Sequence, residues 1–164
     1  MELEYPYQIV TFFNKEPEQN ESVYYGTHGW YPQMALKRRF KLNGTTEEQF
    51  IEELKSFFVK TNVIKIHTGE LIKPERMPVH VIHINNQDEI KKLHEKILNK
   101  FGSSMTSRYP DREGKDYYPH VTAEYNGKFV IPVYECTNKT FDLNNVWLLK
   151  DVEDENSLAF VKIR

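Results

Sequence analysis

Tyr118-Pro119-His120-Val121-Thr122 nearly repeats an earlier segment, Tyr31-Pro32-Gln33-Met34-Ala35. Both begin Tyr-Pro, and both continue polar, apolar, small. Each leads into a strand-like run. Side chains alternate between the two faces of a strand, so His120 and Thr122 share one face, as do Gln33 and Ala35. The later segment sets an imidazole beside a hydroxyl. The earlier one reads as the same unit with the histidine replaced by Gln33 and the threonine by Ala35. The chain is therefore expected to be an internally duplicated, pseudo-symmetric domain of two lobes, with one half of its chemistry intact.

The elements around these segments follow from periodicity. Tyr7 to Phe13 is an apolar run and predicts a first strand. Residues 14–30 are polar with Gly26 and Gly29, which predicts a loop. A second strand starts after Pro32 and runs to about Leu42. Its alternation puts Met34, Leu36 and Phe40 on one face, and Gln33, Ala35, Lys37 and Arg39 on the other. Asn43-Gly44 is a turn, and Thr45 or Thr46 caps a helix over 46–60 whose apolar stripe is Phe50, Ile51, Leu54, Phe57 and Phe58. Val63 to Leu71 and Val79 to Ile84 read as strands. Asn86 caps a second helix over 87–101, which Gly102 stops. A polar stretch over 103–116 precedes the strand of His120 and Thr122, which carries Val121, Ala123 and Tyr125 on its opposite face. The tail offers strands at 129–134, 141–149 and 158–163. This order predicts an α+β domain spanning 1–164: mostly antiparallel strands, helices on the outside, and a central cleft.

Composition narrows the partners. The chain has 164 residues, 39% of them hydrophobic, and a net charge of -2. There is thus no global basic field to draw it onto nucleic acid, and any polyanion contact needs a local patch. A single cysteine, Cys136, excludes an intrachain disulfide and a cysteine zinc cluster. Met1-Glu2-Leu3-Glu4 lacks the basic and apolar regions of a signal peptide. No apolar run approaches the ~20 residues of a membrane helix. A cytoplasmic protein with no membrane partner is expected, and a monomer.

His-x-Thr on a strand lets an imidazole exchange a proton while the neighbouring hydroxyl donates to a phosphoryl oxygen. Lys37 and Arg39 fall on the face of Gln33 and Ala35, and Arg38 adds charge beside them. Arg108 and Arg112 lie in the loop before the second segment. Tyr25, Trp30, Tyr31, Tyr117 and Tyr118 flank the two segments and could stack on a base. Solvated strand ends and packing tyrosines explain the same residues equally simply. Of the six histidines, His28, His67 and His83 are the candidates for a substitute imidazole in the cleft. His94 reads as a half-buried helix residue. His80 and His83 are three apart on one strand and face opposite sides, a poor metal pair.

The arrangement resembles the two-histidine phosphoesterase superfamily, which includes 2′-5′ RNA ligase-like proteins and cyclic phosphodiesterases. The likeness runs over nearly the whole chain: the first strand, the Tyr31 to Lys37 strand, the capped helix, two strands, the second helix, and Tyr118 to Thr122. It implies two His-x-Thr/Ser motifs facing each other across a cleft. One histidine acts as base and the other as acid on a 2′,3′-cyclic phosphate or 2′-5′ linkage, and the hydroxyls hold the phosphate. No metal or other cofactor is implied. By position, His120 and Thr122 match the second motif as catalytic residues. Gln33 and Ala35 occupy the first and do not match it. Gln33, Ala35, Lys37, Arg39 and Tyr118 are then the phosphate or ligand contacts, and the partner is a nucleotide or RNA end.

A positioned acid or base contributes ~10²–10⁴-fold to rate. Glutamine cannot exchange a proton near neutral pH, yet its amide still donates hydrogen bonds. Three readings stand: a binder with reduced or lost phosphodiesterase activity, an active cyclic phosphodiesterase using His120 and a substitute histidine, and a structural or partner-binding domain that retains only the fold.

Overall fold

The computed structural model describes residues 4–23, 30–151 and 157–164. Its elements run β1 (Tyr7–Phe12), β2 (Glu21–Ser22), β3 (Gln33–Leu42), α1 (Glu47–Val59), β4 (Lys65–Ile72), β5 (Val81–Ile84), α2 (Gln87–Phe101) and β6 (Met105–Ser107). They continue as β7 (His120–Thr122), β8 (Glu124–Tyr125), β9 (Lys128–Phe129), α3 (Val133–Cys136), β10 (Thr140–Asp142), β11 (Trp147–Asp151) and β12 (Ser157–Lys162). The fold is α+β, with a large antiparallel sheet in the order β10-β4-β5-β7-β3-β1-β11-β12-β2. β6 pairs with the far half of β3, so β7 and β6 share one edge of that long strand.

Both long helices cover one face of the sheet. Phe50, Leu54 and Phe58 of α1 and Ile90, Leu93, Ile97 and Phe101 of α2 are buried against Ile9, Met34, Leu36, Ile82 and Val121. Thr46 starts α1 with a capping box: its hydroxyl accepts from the Gln49 amide at 3.2 Å, and the Gln49 side chain accepts from Thr46 N–H. Asn86 occupies the N-cap position of α2, but its side chain makes no cap hydrogen bond. Its side chain instead accepts from His67 N–H at 2.9 Å and donates to the Lys65 carbonyl at 2.6 Å, tying the helix entry to β4. Among the described residues, no helix is long and apolar enough to cross a membrane.

The opposite face carries a smaller apolar group, Val10, Phe12, Val23, Trp147, Leu149 and Ala159, with Tyr31 and Ala35 against it. Among the described residues this face carries no long helix, and it forms the floor of a cleft.

Several sequence expectations shift at chain reversals. Phe129 to Tyr134 is not one strand. Asn126 and Gly127, both at positive φ, turn β8 back onto β9, and α3 follows. The 141–149 run divides into β10 and β11 around Leu143–Val146. The 103–116 stretch contains the end of a 3-10 turn that follows α2, then β6 and two further short 3-10 turns.

Candidate functional site

The two near-repeats meet each other. β3 and β7 pair antiparallel with Met34 opposite Val121, both fully buried. That register sets Gln33 beside Thr122 and Ala35 beside His120, all on the face turned away from the helices. A cleft of about 240 Å³ opens over them, lined also by Gln8, Val10, Trp30, Tyr31, Arg38, Arg39, Tyr117, Tyr118 and Tyr125. A wider hollow of about 750 Å³ lies between α1 and α2 on the helical side. It holds lysine and glutamate side chains, whereas both near-repeats line the smaller cleft.

His120 is fixed in orientation and tautomer. Its Nδ1 lies 2.8 Å from the Tyr118 carbonyl, which can only accept, so Nδ1 carries the proton and Nε2 keeps its lone pair. The ring stacks on Tyr118, with centroids 5.4 Å apart and planes at 19°. Burial drives its pKa down to about 4, Arg38 adds to the effect, and the carbonyl bond works against it. Near neutral pH the group is therefore an uncharged base. Thr122 contributes a hydroxyl two residues along the same strand. On the facing strand the Gln33 side-chain oxygen is buried with no hydrogen-bond partner among the described residues.

Lys37 is not in the cleft. The β1–β3 register explains why. Tyr7 faces Phe40, Ile9 faces Lys37 and Val10 faces Ala35, so β3 gains one residue over β1 in each interval. Each extra residue is a bulge that breaks alternation. Leu36 and Lys37 both turn into the core, and Arg38 and Arg39 both reach the cleft. Lys37 is fully buried and ion-pairs with Glu113. Burial lowers its pKa, and the carboxylate opposes that shift. Arg39 lines the cleft, but its guanidinium pairs with Asp151. Arg38 thus takes the position expected of Lys37.

The three substitute imidazoles separate clearly. His67 is exposed on β4, where its Nδ1 lies 3.0 Å from the Thr140 hydroxyl of edge strand β10, away from the cleft. His28, like Tyr25, lies outside the described residues. His83 faces His120 across the β5–β7 pair, and its Nδ1 is 3.3 Å from the Tyr118 hydroxyl. Burial raises the pKa of that phenol, which keeps its proton at neutral pH. Among the described residues, His83 and Tyr118 thus form a side-chain contact beside His120.

His94 is buried, not half-exposed. Its Nδ1 donates to the Leu36 carbonyl at 2.8 Å, and its Nε2 accepts from Gly114 N–H at 3.1 Å. The ring stacks on Tyr117 at 4.0 Å, and the Tyr117 hydroxyl donates to the Ala35 carbonyl at 2.6 Å. This chain of contacts ties α2 to the cleft floor.

Tyr125 reaches the cleft although strict alternation assigns it to the other face. β7 ends at Thr122 and β8 begins at Glu124, so the break at Ala123 resets the alternation. Tyr125 packs on Trp30 with centroids 5.0 Å apart, and together they form one rim. The Asn126-Gly127 turn marks the β8–β9 hairpin but does not signal the break at Ala123. Gln8 and Val10 of β1 were also missed, because nothing in an apolar run marks which face meets a cleft.

Among the described residues, no group of three His, Cys, Asp or Glu side chains gathers as a metal site requires. No protein-family model and no curated protein matches this sequence.

Proposed function

We propose that the chain is a two-histidine phosphoesterase-like protein that binds a 2′,3′-cyclic phosphate, nucleotide or RNA end in this cleft, with reduced or lost phosphodiesterase activity. The observation that carries the reading is the antiparallel pairing of Gln33-Met34-Ala35 with His120-Val121-Thr122 under one cleft. The pairing is the local two-fold expected where two pseudo-symmetric lobes meet. Arg38, the Thr122 hydroxyl and the Gln33 amide supply donors for a phosphate. The aromatic rim of Trp30 and Tyr125 offers a face to a base. A ligand hydroxyl would satisfy the buried Gln33 oxygen. The protein acts as a cytoplasmic monomer and needs no cofactor in this reading.

The expected deficit is one of proton transfer. His120 Nε2 can take a proton from an attacking water, but Gln33 cannot protonate the leaving oxygen. One contact favours a second reading, an active phosphodiesterase. Tyr118 sits between His120 and His83, so its phenol can give a proton to the leaving oxygen and be resupplied by His83.

Hydrolysis of a panel of 2′,3′-cyclic nucleotides and short 2′-5′ oligonucleotides separates the two, with H120A, H83Q and Y118F alongside. The binder reading predicts saturable binding with turnover near the uncatalysed rate. Turnover that requires His120, Tyr118 and His83 together favours the enzyme. Neither binding nor turnover by folded protein rejects both and leaves a domain that retains only the fold.

A further inference from the structure

We infer that the loop before β7 carries a second anion subsite at the mouth of the cleft, built from Arg38, Arg108 and Arg112 around Tyr109. It rests on the reading of the cleft as a phosphate site and narrows the ligand to one bearing a second phosphate group.

Three guanidinium groups surround one tyrosine ring. The Cζ atoms of Arg108 and Arg112 lie 5.3 Å from its centroid, and that of Arg38 lies 5.8 Å away. Three like charges in so small a space repel one another, and the ring offsets only part of this. Two nearby cations on β3 have carboxylate partners within the fold. Lys37 is neutralised by Glu113 and Arg39 by Asp151. Arg108 and Arg112 are exposed and have no carboxylate partner among the described residues, although Asp111 lies between them in sequence. Lys37 and Arg39 are thus balanced by the protein, and Arg108 and Arg112 are left for an anion from solvent.

The loop is held in place before any ligand arrives. Arg108 N–H donates to the Arg39 carbonyl at 3.0 Å, extending the β3–β6 ladder by one bond. Glu113 is fastened by Lys37 and by the Ser107 hydroxyl at 2.9 Å, and Gly114 is fastened by His94. Such anchoring lowers the ordering cost of binding. Arg38 belongs to both places: it lines the cleft, where its charge lowers the His120 pKa, and it lies against Tyr109. One side chain therefore joins the reacting phosphate to the second anion. The second group is a terminal phosphomonoester or an internal phosphodiester of an oligonucleotide, and the two share the chemistry that a guanidinium fork recognises.

The test compares three probes by equilibrium titration. They are adenosine 2′,3′-cyclic phosphate, the same nucleotide carrying a 5′-phosphate, and a dinucleotide ending in the cyclic phosphate. The two-phosphate probes should bind the wild type at least about tenfold more tightly than the first. The R108A/R112A variant should collapse that ratio toward one and flatten the salt dependence by about one unit of slope. Whichever two-phosphate probe gains more identifies the terminal or the internal group. A ratio near one in the wild type, or an undiminished ratio in the variant, overturns the subsite while the cleft reading survives. Should the one-phosphate probe fail to bind, the cleft reading fails. The subsite is then tested with a 5′-phosphorylated oligonucleotide lacking the cyclic end. Binding sensitive to R108A/R112A sustains it, and binding that is absent or insensitive overturns it.

Discussion

Gln33-Met34-Ala35 and His120-Val121-Thr122 lie side by side on β3 and β7, share a buried centre and open into the same cleft, yet their outer side chains meet opposite circumstances. His120 is oriented by the Tyr118 carbonyl, stacked on the Tyr118 ring and kept uncharged. Gln33 leaves a buried oxygen without a partner among the described residues. The backbone pairing through Met34 and Val121 does not depend on what flanks it. A site of this kind can therefore exchange its chemistry on one strand and keep its geometry on both. Strand pairing preserves the place of a functional group, and its identity has to be tested separately.

The largest effect should come from adding a second imidazole and hydroxyl on β3. Q33H/A35T places an imidazole and a hydroxyl opposite the existing pair. Cyclic phosphodiesterase activity is expected to rise ~10²–10⁴-fold over wild type, read as initial rates on 2′,3′-cyclic nucleotides. A folded double variant with unchanged rates would break the comparison, because position alone would then not make the two strands equivalent.

The second effect concerns the β3 bulge. Lys37 is a buried partner of Glu113 and does not touch ligand in this account. K37M should cost about 3–5 kcal/mol of stability, measured by denaturant unfolding, because Glu113 loses its counter-charge. If K37M keeps its stability and loses ligand affinity instead, the side chain belongs to the cleft after all.

A third test is pH. The pKa of His120 is lowered to about 4 in the fold, against an ordinary value of 6.5. Between these values the unfolded chain holds more protons than the folded one. Stability is therefore complete above about pH 6.5 and falls as the pH drops toward 4. The contribution of His120 is at most about 3 kcal/mol. Burial lowers the His94 pKa as well, so its contribution has the same sign. Unfolding titrations of wild type and H120Q over pH 4–7 should differ in slope, with the variant flatter.

The smallest effect is expected at Thr122. T122V keeps the shape of the strand and removes one hydroxyl donor. Cyclic-nucleotide affinity should weaken by about tenfold, read by titration calorimetry.

The sequence announced this site only in part. Two strongly periodic helices with a clear cap and a clear stop were legible over 46–60 and 87–101, and the structure places them at Glu47–Val59 and Gln87–Phe101. The two similar Tyr-Pro segments lie on paired strands, and Gln33, Ala35, His120 and Thr122 line one cleft. Strict alternation failed at two bulges in β3, where an extra residue turned Lys37 inward and Arg38 outward. It failed again at Ala123, where a break in the strand turned Tyr125 toward the cleft. Bulges and breaks depend on the register of a partner strand far away in sequence, so no local pattern encodes them. The burial of His94 was hidden for a related reason. Its neighbours Leu36, Gly114 and Tyr117 come from two other segments of the chain.

The most direct test of the account is a calorimetric titration of the wild-type protein with adenosine 2′,3′-cyclic phosphate, with H120A/T122V as the comparison. The account predicts one saturable site per chain, weakened by about tenfold or more in the double variant. No binding by the folded wild type, or binding that the double variant leaves unchanged, would contradict the claim that the paired segments form a phosphate site.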